Sequence, residues 1–430
     1  MKLAASVGLL LMMVVVASPG SHAQENDVIR SRKLQRRGLS AFNDGNYRES
    51  ISLFRNALAL RPDFPTLQYD LAQLYALTGD VDSSIAWLRS VASMGLVYRA
   101  AADTVFRSLR NHPGFAEVMA EFERNKKPVV SSTPAFRVPL KGLLTEGIAY
   151  DPVGKQLFVG SVNKRQILRV NRDGTVTPFS RKGDKLWGVF GMAVDASRRI
   201  LWACTSEIGQ MEGYRKSGHD RSAIVKYDLN AGRLLARFPL TDTSTSHVLG
   251  DLAILPNGDV VATDSRSPQI VAVRMGEQTL RTAYRSEEFV NLQGIAPSDD
   301  GRWLFVADYS RGIFRIDVKN GTIALYPFVD HATLLGIDGL YYNKGRLIAI
   351  QNGVYPNRVL GLILSPDATR INSVHILESN NPLFDEPTLG TRMDDQFLFL
   401  ANSQWSRVGD DGVSQPDSSF FFPLILRLDR

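Results

Sequence analysis

Three observations on the 430-residue sequence predict an α+β two-domain chain, with an α-helical repeat domain followed by an all-β six-bladed propeller. Residues 45–91 repeat at a 34-residue offset, a polar-small-apolar strand opening recurs six times after residue 135, and a Pro- and Ser-rich stretch separates the two regions.

The first 23 residues read as a signal peptide, with Lys2, an apolar run over 7–16 and a small-residue stretch ending Ser21-His22-Ala23. That run is shorter than the roughly 18 to 20 apolar residues a membrane helix needs. An exported protein, periplasmic or secreted and without a membrane span, is expected. The single cysteine, Cys204, excludes an internal disulfide and reads as a buried structural thiol. The net charge of +6 is scattered, and its one cluster, Arg32, Lys33, Arg36 and Arg37, reads as a solvated helix face. Nucleic acid is not an expected partner.

Over residues 26–127, Gly45-Asn46-Tyr47 matches Gly79-Asp80-Val81, and Ser50, Ile51, Phe54 and Ala57 meet Ser84, Ile85, Leu88 and Val91 at the same 34-residue offset. These pieces resemble the tetratricopeptide repeat, whose period and helix-turn-helix unit they share. Two such hairpins cannot bury their faces alone, so a third, degenerate pair is expected over 99–109 and 113–124. Repeats of this kind imply a docking surface for a protein partner. Packing against the second domain is the alternative. Residues 128–134 read as a linker.

Residues 135–430 carry short apolar strands and turns such as Asp173-Gly174, Asn257-Gly258, Asp300-Gly301 and Asn320-Gly321. The six unit openings begin at Glu146, Phe190, Gly250, Gln293, Asp338 and Glu386, and steps of 44, 60, 43, 45 and 48 residues suit four-stranded blades. The chain ends on the third-strand type Leu424-Ile425-Leu426-Arg427-Leu428, so residues 135–140 are expected to close the last blade.

In that topology the opening residues ring one channel mouth. The ends of the second strands, Ser161, Asp264, Asp308, Asn352 and Asn402, return to the same face, as do Trp187, His247 and Asp251. Converging carboxylates and amide oxygens make a hard oxygen site suited to Ca²⁺ or Mg²⁺, with Glu146, Gln293, Asp338 and Glu386 as candidate ligands. A salt-bridged or hydrated polar channel is the alternative. Trp187, Asp251, Asp308 and Asn402 are candidate substrate contacts. Two long insertions, residues 206–222 and 403–420, follow second strands and overhang the same mouth, where they would serve as a lid.

The pieces Thr145-Glu146-Gly147-Ile148-Ala149-Tyr150-Asp151, Gln293-Gly294-Ile295-Ala296, Leu304-Phe305-Val306-Ala307-Asp308 and Ile337-Asp338-Gly339-Leu340 resemble the regucalcin (senescence marker)/gluconolactonase superfamily of calcium-dependent propellers. The resemblance covers about residues 141–430. It implies metal held by Glu146 and Asp338, with Gln293 standing where the family has Asn and Gly250-Asp251 where it often has Asn-Asp. It also implies hydrolysis of a small lactone or ester, with Asp338 as candidate base; His247 is a second candidate for activating water. A non-catalytic propeller that binds a ligand or protein, with the repeats as a docking domain, is the alternative. Serine-hydrolase elbows, zinc-protease pairs and phosphate loops are absent from the sequence.

Overall fold

The computed structural model describes residues 26–171, 174–215, 218–412 and 416–428; the expected signal peptide lies outside them. Four helices, α1 (Asp27–Asn43), α2 (Tyr47–Ala59), α3 (Pro65–Thr78) and α4 (Val81–Ser93), form two antiparallel hairpins. Gly45 and Gly79 each turn the chain at φ near +80° (79° and 81°), a conformation that glycine adopts without a Cβ penalty. The Ser50 hydroxyl donates to Gly38 O (2.8 Å) and the Ser84 hydroxyl to Ala72 O (2.7 Å), so the same bond locks each hairpin one repeat apart. A fifth helix, α5 (Pro113–Asn125), caps the stack as expected. The other half of the degenerate pair is only a 3₁₀ turn, Thr104–Leu109. Just ahead of it, Val97 N–H donates to Tyr355 O (3.0 Å) in the second domain.

Six four-stranded antiparallel sheets follow. Five are consecutive. The sixth joins Ser132–Arg137 to the edge of Leu424–Leu428, so the two ends of the domain close the ring as predicted. The closing strand begins at Ser132, inside the stretch read as linker, because Ser132 already pairs with Leu428. One apolar cluster fills each gap between neighbouring blades, which makes each blade's stability depend on its neighbours. Cys204 is fully buried in the cluster between blades 2 and 3.

The recurring opening has a physical cause. In each of the first five blades the register of the innermost strand slips at the opening pair, as between Thr145 and Ile148 or Leu292 and Ile295. This bulge re-aims the opening side chain. The glycine that follows lets the next blade approach: a methyl on Gly147 would collide with the Phe190 carbonyl, and one on Gly294 with the backbone of Leu340. In blade 6 Glu386 takes φ 60° and Pro387 lacks an N–H, so the inner strand starts only at Gly390.

The helical domain sits on the face where second strands end. Arg61 donates to Ser310 O (2.8 Å), and the buried Arg358 donates to Met94 O (2.6 Å). Asn380 donates to Lys126 O (2.5 Å). Blades 4 and 5 carry these contacts, on the same side as the channel mouth. No described helix is long and apolar enough to cross a membrane.

Candidate active site at the channel mouth

The bulged openings of blades 1 and 5 and the left-handed turn at Glu386 bring Glu146, Asp338 and Glu386 into electrostatic contact, with Asp251 beside them. Burial, then the charge of Asp338, holds the Glu146 carboxyl well above its ordinary range. Burial pushes Asp338 up to about 6, opposed by a hydrogen bond from Asn352, and pushes Asp251 up to about 7. Glu386 is raised by burial and by the adjacent Asp385. Burial thus raises all four mouth carboxyls to different extents, the kind of arrangement that can separate acid from base roles.

Each group is oriented by a named partner. Glu146 Oε2 accepts the indole N–H of Trp405 (2.9 Å), 259 residues away in the chain. Asp338 Oδ2 accepts from Asn352 Nδ2 (2.7 Å), whose second proton goes to Pro387 O (3.0 Å) and whose oxygen accepts from the Tyr309 hydroxyl (3.0 Å). Asp251 accepts from the backbone of Leu252 (2.8 Å), and the partly buried Tyr341 feels Asp251, Asp338 and Glu146 together. Gln293 turns its amide N–H to Asn291 Oδ1 (2.5 Å).

The two insertions meet. Gln210 Nε2 donates to Asp410 Oδ1 (2.5 Å), and Gly209 lies so close to the Asp410 carbonyl that no side chain would fit. Ile208, Val408 and Phe420 bury themselves in one apolar cluster with Phe190, and Trp405 packs on it, its ring 6.4 Å from that of Phe190. The lid thus seats an aromatic side chain over the first and second ring positions. Gln404 at φ 69° and Glu386 at φ 60° make the sharp turns that deliver Trp405, and Ser403 N–H and Oγ both donate to Glu386 O (3.2 and 2.8 Å). Non-glycine residues in this region carry strain that surrounding structure must hold.

Other predicted positions serve elsewhere. His247 is buried with Nδ1 2.6 Å from Asp264 Oδ2, and its backbone ties down both ends of residues 220–222. Asp308 accepts from the backbones of Val290, Asn291 and Ser310, and Asn402 bridges Phe422 O and Leu424 N–H. Ser161 bonds Asn163. These groups fasten the loops on which the mouth is built. The guanidinium groups of Arg221 and Arg237 approach the Trp187 ring, at 5.1 and 5.2 Å. Gly250 contributes backbone only, and Phe190 packs under the lid. Trp405 and Tyr341 were not singled out by the sequence reading; the one signal for Trp405 was its place in the overhanging insertion.

The donor set has the hard-oxygen chemistry of a Ca²⁺ site, and Glu386 Oε2 is buried without a partner. The placement does not match. Among the described residues no three His, Cys, Asp or Glu side chains are gathered to hold an ion. The Trp405 indole N–H occupies Glu146 Oε2, and Gln293 turns its N–H to Asn291. The residues form a hydrogen-bonded carboxyl cluster, not a preformed cation cage.

Residues 36–103 match the tetratricopeptide repeat family model. No curated protein matches the chain. Similar solved structures include the PQQ-bound aldose sugar dehydrogenase of Streptomyces coelicolor (15% identity, 70% of this chain and 99% of that one, TM-score 0.48). They also include a calcium-binding protein, regucalcin, of Agrobacterium tumefaciens (15%, 69% and 93%, 0.48) and a gluconolactonase of Xanthomonas campestris (15%, 70% and 99%, 0.45). At these values the likeness is one of fold.

Proposed function

We propose that the protein is an exported hydrolase of a small lactone or ester, working by carboxyl acid–base chemistry under a lid, and the carrying observation is the pairing of Glu146 with Asp338. Glu146, held protonated, receives the Trp405 N–H on Oε2, which leaves its acidic proton on Oε1. That proton is offered to the carbonyl oxygen of the substrate and stabilises the charge that develops there. Asp338, ionised above about pH 6, takes a proton from the attacking water, and Asn352 holds its other oxygen. As the tetrahedral intermediate collapses, Glu146 gives that same proton to the leaving alkoxide, and the proton held by Asp338 passes to Glu146, the more basic of the two, which restores both groups. The lid admits the substrate by lifting Trp405 and excludes bulk water on closing. Ca²⁺, which the resemblance implies, has no step in this scheme. Export rests on the first 23 residues, and a protein partner for the helical repeats rests on their family.

The test is acid release from a panel of γ- and δ-lactones and simple esters, followed across pH. A bell-shaped rate is expected, rising as Asp338 ionises with an apparent midpoint near 6 and falling at higher pH as Glu146 loses its proton. The two midpoints belong to the coupled pair. No turnover of any member would leave the binding-module reading in its place.

A further inference from the structure

Away from the mouth, the outer gap between blades 1 and 2 forms a groove of about 500 Å³. Lys164, Arg165, Arg169, Arg181 and Lys182 line it, and no acidic side chain does so among the described residues. Neutralisation is incomplete. Lys164 pairs with Glu212, but Arg165 is held by backbone carbonyls instead, Nε on Leu186 O (2.8 Å) and NH1 on Glu212 O (3.2 Å). Asp184, the nearest acid in sequence to Arg181 and Lys182, is engaged by the Tyr227 hydroxyl (2.9 Å) and the Arg181 backbone (2.7 Å).

Deeper in the groove, Arg169 Nε is buried with no hydrogen-bond partner. Thr177, its cross-strand neighbour, has a buried hydroxyl in the same condition. Cross-strand partners share a face. A buried guanidinium donor left unsatisfied is destabilising, and a fork of such donors suits phosphate or sulfate oxygens. Arg165 precedes the third strand of blade 1 and Arg169 lies within it, so their backbones are about 13 Å apart at the usual strand rise. The cations are thus set at two levels. The groove's one aromatic, Phe179, is buried, so nothing offers a platform for a stacked base.

We propose that this groove is a binding site for an extended small anion carrying several phosphate or sulfate groups, one end on Arg165, Arg181 and Lys182 and the other on Arg169. The test is calorimetric titration of the full chain with tripolyphosphate and, separately, sucrose octasulfate, at about 0.15 M salt, where exposed charges are screened beyond about 8 Å. Saturable 1:1 binding of either probe is expected, and the better probe identifies the ligand's chemistry. R169Q is expected to weaken it at least about tenfold. R181Q/K182Q changes two exposed side chains, and the same loss is expected. The charge-matched control K127Q/K319Q, also exposed, should bind as the unaltered protein does. Absence of saturable heat with both probes, or an equal loss in the control, would overturn the proposal.

Discussion

Asp338→Asn is expected to lower kcat by about 10²- to 10⁴-fold, the usual contribution of a positioned general base, while the protein stays folded. The amide is nearly isosteric, and its oxygen still accepts the Asn352 N–H that Asp338 Oδ2 accepts now. The expected stability change has a definite sign. Asp338 has a folded pKa of about 6, above the ordinary 3.8, so the folded state binds more protons than the unfolded state between those values. Stability contributed by this group is therefore present at low pH and is lost as pH rises through about 6. At pH 7.5 the variant should be as stable as the unaltered protein or more so, by about 1 to 3 kcal/mol at most. Thermal melts at pH 4 and 7.5 beside the rate measurement check this. Lost activity together with a lower melting point at pH 7.5 would mark Asp338 as a structural residue.

Arg358→Met is expected to carry the largest stability loss. Arg358 is fully buried; its Nε donates to Gln351 Oε1 (2.5 Å) and its NH1 to Met94 O (2.6 Å), so one side chain joins the helical domain to blade 5. Burial lowers its pKa to about 10, well above neutrality, so the charge persists. Methionine fills similar volume but orphans two buried acceptors, at about 1–3 kcal/mol each, and a total of about 3 to 5 kcal/mol is expected. Gln351 also holds Thr333 O and Leu335 O and adjoins Asn352, the residue that orients Asp338. A fall in denaturant midpoint should therefore be accompanied by reduced turnover at temperatures where the variant is folded. An unchanged midpoint would mean that the domains do not depend on this contact.

The ring of blades was legible because closing a propeller imposes a repeated constraint. Glycines such as Gly147 and Gly294 must admit a neighbouring backbone, and that need recurs at nearly fixed spacing whatever the chemistry of the site. Glu146 and Asp338 were legible for the same reason, since in their blades the residue before the glycine is the one the bulge re-aims. Their partners were not. Trp405 reaches Glu146 from an insertion whose path depends on left-handed turns at Glu386 and Gln404, positions that carry no glycine to announce them. His247 and Asp308 look like site residues in a strand-order argument, and only the packing shows that backbone N–H groups and a buried contact with Asp264 already occupy them. The helical repeats were legible as a fold, but their contact with blades 4 and 5 includes single side chains such as Arg61 and Arg358, which have no local sequence pattern.

The central claim is that Glu146 and Asp338 stand in different protonation states near neutral pH, and carboxyl ¹³C NMR titration of protein labelled at Asp and Glu measures it directly, with E146Q and D338N supplying the assignments. One carboxyl titrating near 6 and absent from D338N, with a second still protonated at that pH and absent from E146Q, is the predicted result. Titration of both groups in the ordinary range of about 4 to 4.5 would contradict the account.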